Sequence, residues 1–202
     1  MKKIIVCGLL MLPCWGFAQI GVKAGLNFAN VSSASSINNS SRTGWHAGIL
    51  LGSSFKKLLG YRTELLYSKQ GYDYTSGNSK GTVGLNYIAF ANFFTVGITR
   101  YFQLQLGFQT AYLLNAKADS SNEIAGLPGT YKKILDISNR LDYGFGGGLE
   151  IHPARGLLVG ARINISLSKL YKDASSSQDG SYPGIDAKNN LFQLFLGWRF
   201  GK

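Results

Sequence analysis

The chain has 202 residues, a formal net charge of +11, 26 glycines, four prolines and two cysteines. No stretch after the N-terminal segment has the roughly 18 unbroken apolar residues of a membrane helix, which excludes a helical membrane protein. The basic residues form no stripe interleaved with aromatic side chains, so the charge does not indicate nucleic-acid binding.

The N-terminal segment, 1–18, has the features of a secretory signal. Two lysines precede an apolar run at 4–12, and a small-x-small cleavage pattern follows at 16–18. We therefore predict one mature domain, 19–202, in an exported protein.

The cysteines leave one alternative open at the N-terminus. A lipoprotein signal would acylate Cys14, although Pro13 just before it fits that signal poorly. In the cleaved-signal interpretation, Cys7 and Cys14 are both removed. The mature chain then has no disulfide, no thiol nucleophile and no cysteine-bound metal.

Eight later segments alternate apolar and polar residues, a period typical of strands. They are 20–30, 45–55, 61–70, 85–96, 101–114, 141–151, 157–167 and 192–200. The fourth is apolar on both faces, so its orientation stays open. The linkers alternate between long (31–43, 71–84, 115–140, 168–190) and short (56–60, 97–100, 152–156). This rhythm predicts an all-β fold, an eight-stranded antiparallel up-and-down transmembrane β-barrel with short periplasmic turns and long extracellular loops.

The direction in which the apolar faces point separates a membrane barrel from a soluble sandwich or lipocalin-like barrel. Aromatic residues collect near both ends of the strands, as in the two girdles of a membrane barrel. They are Phe28, Trp45, Tyr112, Tyr143 and Phe192 at the long-loop ends, and Phe55, Tyr61, Phe102, Trp198 and Phe200 at the short-turn ends. We therefore expect the apolar faces to meet lipid and the polar faces to line the lumen.

The polar faces carry seven charged residues, which are Lys23, Arg62, Glu64, Asp142, Glu150, Arg162 and Arg199. An eight-stranded barrel is just wide enough for side chains to fill it, and buried charges there must be paired. We predict a structural salt-bridge network that plugs the lumen. An ion path or gate is the alternative.

Candidate catalytic residues are few. The mature chain has two histidines: His46, facing the lumen near the extracellular end, and His152, in a His-Pro turn where solvation is expected. A rim enzyme acting on lipid or a surface substrate would need His46, with Asp142 and a loop serine beside it. No nucleophile elbow accompanies them, so we predict a non-enzymatic protein without metal or cofactor.

The charges at the strand ends indicate the orientation and the partners. The short turns and the C-terminus carry basic residues and no acidic ones; the basic residues are Lys56, Lys57, Arg100, Arg155 and Lys202. A basic rim suits anionic headgroups on the periplasmic side. Outer-membrane lipid and the barrel assembly machinery are the expected partners, together with a secretion-system or surface protein at the extracellular loops.

Five segments in order resemble one family. They are YRTELLYSKQG at 61–71, LNYIAFA at 85–91, DYGFGGGLE at 142–150, GARINISL at 160–167 and GWRF at 197–200. This set resembles the PorT-like outer-membrane β-barrel family. The chain departs from the family pattern at Ala89-Phe90-Ala91, where the pattern has Glu-Ile-Pro, and at Gly201-Lys202, which follow the last aromatic residue.

The resemblance implies a location in a Gram-negative outer membrane. The member that gives the family its name is implicated in type IX secretion and gliding. The resemblance thus adds an accessory role in protein secretion to the predicted structural or interaction role. A narrow channel stays as a further alternative.

Overall fold

The computed structural model describes residues 19–32, 38–53, 58–76, 79–120, 139–170 and 188–200. The strands are β1 Gln19–Ser32, β2 Asn38–Gly52, β3 Leu59–Ser76, β4 Ser79–Gly97, β5 Phe102–Ser120, β6 Leu141–Ile151, β7 Leu157–Ser166 and β8 Lys188–Phe200. Each strand pairs antiparallel with the next, and β1 pairs with β8, so the sheet closes into a barrel. The predicted fold class is confirmed. The predicted signal, 1–18, lies outside the described residues.

The outer surface of the barrel is apolar. Residues that alternate with the lumenal ones are exposed, as shown by Leu106 at 70% and Phe145 at 61%. In lipid this surface is favourable, and closure leaves no backbone edge without a hydrogen-bond partner. No helix long and apolar enough to cross a membrane occurs in the part of the chain that the structure describes.

Aromatic side chains on the outer surface pair between strands near both ends of the barrel. At the extracellular end, the ring centroids of Phe28 and Phe192 lie 6.0 Å apart, and Trp45 lies 5.4 Å from Tyr67. At the periplasmic end, Tyr61 packs edge-on against Phe94 at 5.4 Å. The other predicted girdle residues are exposed: Tyr112, Tyr143, Phe102, Trp198 and Phe200. Phe55, predicted for this girdle and for the second strand, lies outside the described residues.

The orientation of the fourth strand is settled by burial. Its odd-numbered residues from Val83 to Thr95 face the lumen and are buried, whereas Ile88, Phe94 and Val96 face outward. The inner face of β4 is therefore almost entirely apolar. Two of its inward side chains, Tyr87 and Phe93, are large enough to fill space in the lumen.

The second long linker, 71–84, is mostly strand, so the prediction of a loop there is wrong. β3 and β4 stay in register from Gly71↔Gly84 to Ser76↔Ser79. β2 and β5 also continue beyond the predicted strand ends, to Asn38 and Ser120. We call this four-stranded extension the extracellular sheet.

The physical reason for the extension is an apolar inner surface. Buried side chains line it, among them Tyr72, Val83, Leu85 and Ala116, and Leu170 joins the same cluster. Ala116 reaches the inner side because Leu114 is an extra residue in β5, which shifts the alternation by one.

Candidate functional site: the lumenal network

Alternation along five strands brings six of the seven predicted lumenal charges together. Lys23 comes from β1, Arg62 and Glu64 from β3, Glu150 from β6, Arg162 from β7 and Arg199 from β8. Each is buried, with at most 4% of its surface exposed. The two glutamates are the centres of two connected groups.

Glu64 is the centre of the first group. Its carboxylate accepts two hydrogen bonds from the Arg162 guanidinium, at 2.8 Å each, and one from Lys23 Nζ at 2.9 Å. Arg62 Nη1 lies 3.7 Å from Glu64 Oε1. A buried carboxylate with two close cations in hydrogen-bond contact is the arrangement that offsets the cost of burying charge.

Glu150 is the centre of the second group, nearer the periplasm. Arg62 binds it with both terminal nitrogens, Nη2 at 2.8 Å from Oε1. Arg199 Nη2 lies 3.4 Å and His152 Nε2 3.0 Å from the same oxygen. Gln105 donates to Glu150 and accepts from Arg162, so it links the two groups.

Two aromatic rings support the cations from the side. The Arg162 guanidinium lies 3.8 Å from the Phe93 centroid, and Lys23 Nζ lies 3.7 Å from that of Phe195. Cation–π contacts of this kind stabilise a desolvated charge. Two glycines make room for the rings, since an added Cβ would lie 3.0 Å from the Phe93 ring at Gly146 and 2.5 Å from the Phe195 ring at Gly160.

A second layer, made of amides, lies on the extracellular side of the charges. Asn27 donates to Ser68 Oγ at 2.9 Å and accepts from Gln193 at 2.9 Å. Gln193 in turn accepts from Asn164 at 3.1 Å. Hydrogen bonds therefore connect β1, β3, β7 and β8 across the lumen.

His46 belongs to this amide layer. It is buried at 1% exposure, and its Nδ1 lies 2.8 Å from Asn27 Oδ1. Asp142 lies apart from both the charge network and His46, and accepts hydrogen bonds from Ser166 at 2.5 Å and Ser168 at 2.6 Å. The Ser/His/Asp arrangement considered from the sequence is not assembled by these contacts.

The expectation that His152 is solvated is wrong. It is 5% exposed and lies against Glu150, because it continues the inward alternation of β6 by one more step. The sequence interpretation also missed Gln103 and Gln105 as partners of the arginines. The polar alternation of the fifth strand was the available signal for both.

Little space is left in the part of the lumen that the structure describes. A pocket at its extracellular end, between β3, β5, β6, β7 and β8, has room for about one water molecule. The described residues hold no group of three or more His, Cys, Asp or Glu side chains that could bind a metal ion. The arrangement suits a filled lumen that ties its walls together.

Solved structures with this fold share little sequence with the chain. Neisserial surface protein A has 15% identity and a TM-score of 0.53, with 91% of this chain and 99% of that one covered. The Yersinia pestis attachment invasion locus protein Ail has 15% identity, a TM-score of 0.49 and the same coverage. OprG from Pseudomonas aeruginosa has 11% identity and a TM-score of 0.46, with 92% and 97% covered.

No curated protein sequence matches the chain. The sequence profile of one family, described as "Outer membrane protein beta-barrel domain", matches residues 13–172. Since that match covers most of the chain, this protein belongs to the outer membrane protein beta-barrel domain family and is located in the outer membrane.

Proposed function

We propose that the protein is a non-enzymatic outer-membrane barrel with a plugged lumen, which acts through its extracellular surface as a structural or interaction protein. The observation that carries this proposal is the network of Glu64, Glu150, Arg62 and Arg162, which spans the lumen from wall to wall. A filled lumen leaves the outer surface and the loops as the regions that meet other molecules.

The lumenal contacts argue against a channel. Arg162 reaches from β7 to Glu64 on β3, and Arg62 reaches from β3 to Glu150 on β6. A solute would have to break several buried charge-assisted hydrogen bonds to pass, each worth more than a neutral one.

The environment of His46 argues against a rim enzyme. A general base must come within hydrogen-bond reach of a substrate proton, and His46 is buried in the amide layer. Its Nδ1 is taken up by Asn27. Asp142 is bound by two serines.

The extracellular sheet is the surface that we assign to partner binding. Its strands β3 and β4 are paired from Gly71↔Gly84 to Ser76↔Ser79, and the sheet extends past the aromatic girdle. We propose a secretion-system or surface protein as its partner, in line with the resemblance of 61–71 and 142–150 to the PorT-like family. Outer-membrane lipid and the barrel assembly machinery are the other partners that this proposal requires.

A shortened sheet tests the proposal. Replacing 73–82 by Asn-Gly joins Tyr72 to Val83 through a two-residue hairpin loop and leaves the lumen unchanged. We expect this variant to insert into the outer membrane normally, which faster gel migration before boiling would show. It should no longer form cross-links to its partner, and the amount of secreted protein should fall. His46→Gln is the matched control and should keep both.

Normal cross-links and secretion in the shortened variant would overturn the interaction role of the sheet. Loss of a measurable activity in folded His46→Gln would instead favour the rim enzyme. Conductance steps of the unaltered protein in planar bilayers would favour the channel.

A further inference from the structure

The pocket at the extracellular end of the lumen is lined mainly by polar side chains, among them Gln70, Gln109, Asp142, Asn164 and Asn189. Their hydrogen bonds leave a surplus of acceptors. This surplus suggests what kind of group the pocket holds.

Several donors around the pocket are already used. Asn164 Nδ2 donates to Gln193 at 3.1 Å, and Asn189 Nδ2 donates to Gln70 Oε1 at 2.6 Å. Gln70 Nε2 donates to Ser68, and the Ser166 hydroxyl donates to Asp142. These N–H and O–H groups are therefore not available to donate to a ligand in the pocket.

Acceptors are left over in the same place. Asn164 is only 6% exposed, yet its Oδ1 has no hydrogen-bond partner within the described chain. The same holds for the buried Oε1 of Gln109. Asp142 adds a carboxylate whose hydrogen bonds all come from neutral groups, which are the hydroxyls of Ser166 and Ser168, the side-chain amide of Asn189 and the backbone N–H of Tyr143. A buried acceptor without a partner is costly, so a ligand that donates to or coordinates two such acceptors binds with a gain in free energy.

We propose that this pocket binds a single monovalent cation of about the size of water, either a free ion or the ammonium group of a primary amine that enters from outside the cell. The Asp142 carboxylate supplies the compensating charge, and the oxygens of Asn164 and Gln109 supply neutral contacts. A divalent ion fits less well, because Ca²⁺ takes about six to eight oxygen ligands and Mg²⁺ keeps several waters. The pocket offers one carboxylate and room for about one water.

The positive charges on the periplasmic side of the pocket prevent a bound cation from passing further into the lumen. Arg162 lies two residues from Asn164 along β7. Lys23 and Arg162 both form ion pairs with the carboxylate of Glu64. The lumenal charge network has four cations, Lys23, Arg62, Arg162 and Arg199, against two carboxylates, Glu64 and Glu150. A cation that reaches Asp142 from outside therefore meets a positive layer below it.

The test exchanges the cation at constant chloride and ionic strength. The full mature barrel, refolded in detergent, is placed in tetramethylammonium chloride, whose cation is too large for the pocket. The salt is then replaced stepwise by potassium, sodium, ammonium or methylammonium chloride. We expect a saturable rise of the unfolding midpoint, since a ligand that binds only the folded state stabilises it. The side-chain amide NMR signals of Asn164 and Gln109 should shift over the same range.

Two variants of matched charge identify the site. Asp142→Asn should abolish both responses. Asp73→Asn, whose carboxylate accepts from Thr82 at 2.7 Å outside the pocket, should keep them. A response to an inorganic cation without a response to methylammonium assigns a free ion as the ligand. A response to methylammonium assigns the ammonium group of a primary amine.

The proposal is overturned if the unaltered barrel is insensitive to cation exchange, which would mean that the pocket holds water only. It is also overturned if Asp142→Asn responds like the unaltered barrel. If Asp142→Asn does not fold, Gln109→Glu decides: tighter binding supports the site, and unchanged binding overturns it. The inference is independent of the proposed function, because neither the extracellular sheet nor a partner enters it.

Discussion

Arg162 on β7 donates two hydrogen bonds of 2.8 Å to the carboxylate of Glu64 on β3. These strands lie opposite each other in the ring of eight, so the pair ties together walls that share no backbone hydrogen bond. The contact can form only when the barrel is closed. It therefore makes the order of the lumen depend on pairing between β1 and β8.

Removing the acid from this pair should destabilise the barrel strongly. Glu64→Gln leaves Arg162 and Lys23 buried without their carboxylate, and breaking a buried pair in this way costs about 3–5 kcal/mol. The measurement is the free energy of unfolding in urea with the barrel in lipid vesicles. Asp73→Asn, on the outer side of the extracellular sheet, is the control and should change little. A loss below about 1 kcal/mol for Glu64→Gln would contradict the buried network.

The partners of Glu64 should also show coupling. With the acid already absent, replacing Arg162 by Met removes a buried charge that has lost its partner, so the double variant should be more stable than Glu64→Gln alone. Contacting residues typically show coupling of about 0.5–3 kcal/mol. A double-mutant cycle on urea midpoints measures it. Simple additivity would mean that the two side chains do not interact.

Glu150, the second carboxylate of the network, should be needed to keep the lumen closed to ions. Glu150→Gln removes the acid that holds Arg62 and Arg199 and leaves four network cations against one carboxylate. We expect the variant to open transiently in planar bilayers and to prefer chloride over potassium, because a positive lumen attracts anions. The unaltered barrel should stay silent. A cation-selective current from Glu150→Gln would refute this account of the lumen.

The sequence was sufficient to predict which charges face inward, but it did not predict how they pair. Strand alternation alone places Lys23, Arg62, Glu64, Glu150 and Arg162 in the lumen. Which glutamate meets which arginine depends on the stagger between strands across the barrel, and no local pattern encodes that stagger. The pairing of Glu64 with Arg162 and of Glu150 with Arg62 was not predicted for this reason.

The separation of Asp142 from the charge network could have been predicted from the sequence. Asp142 and Glu150 share the inner face of β6 but lie eight residues apart, about 26 Å along a strand at roughly 3.3 Å per residue. The two acids therefore belong to opposite ends of the lumen. Alternation places both acids on the inner face and so predicts a single network, but only Glu150 contacts Arg62.

The composition of the extracellular sheet predicted a loop instead of strands. Region 71–84 is rich in Gly, Ser, Asn and Asp, which favour turns, yet Tyr72 and Val83 alternate with polar residues in register. Burial of Tyr72, Val83 and Leu85 in one apolar cluster outweighs the turn tendency. Tertiary burial of this kind cannot be read from local propensity.

Two strand glycines, Gly160 on β7 and Gly147 on β6, should respond very differently to a methyl group. A Cβ at Gly160 would lie 2.5 Å from the Phe195 ring, whereas one at Gly147 finds its nearest neighbour at 3.7 Å. Gly160→Ala must push Phe195 away from Lys23, and overpacking typically costs about 1–3 kcal/mol. Gly147→Ala should be nearly neutral. Equal urea midpoints for the two variants would show that the Phe195 side is not tightly packed.

The extracellular sheet should be visible in amide hydrogen exchange. Backbone amides in 72–76 and 79–83 are paired between β3 and β4, and β5 continues beside them to Ser120. We expect them to exchange far more slowly than the amide of Arg100, which lies in an exposed periplasmic turn. Exchange is measured on the refolded barrel in detergent by NMR or mass spectrometry. The Tyr72→Ala variant should accelerate exchange in the extracellular sheet alone, because it removes a large side chain from the apolar inner surface of that sheet. Exchange at 72–83 as fast as at Arg100 in the unaltered protein would restore the loop that the sequence predicted.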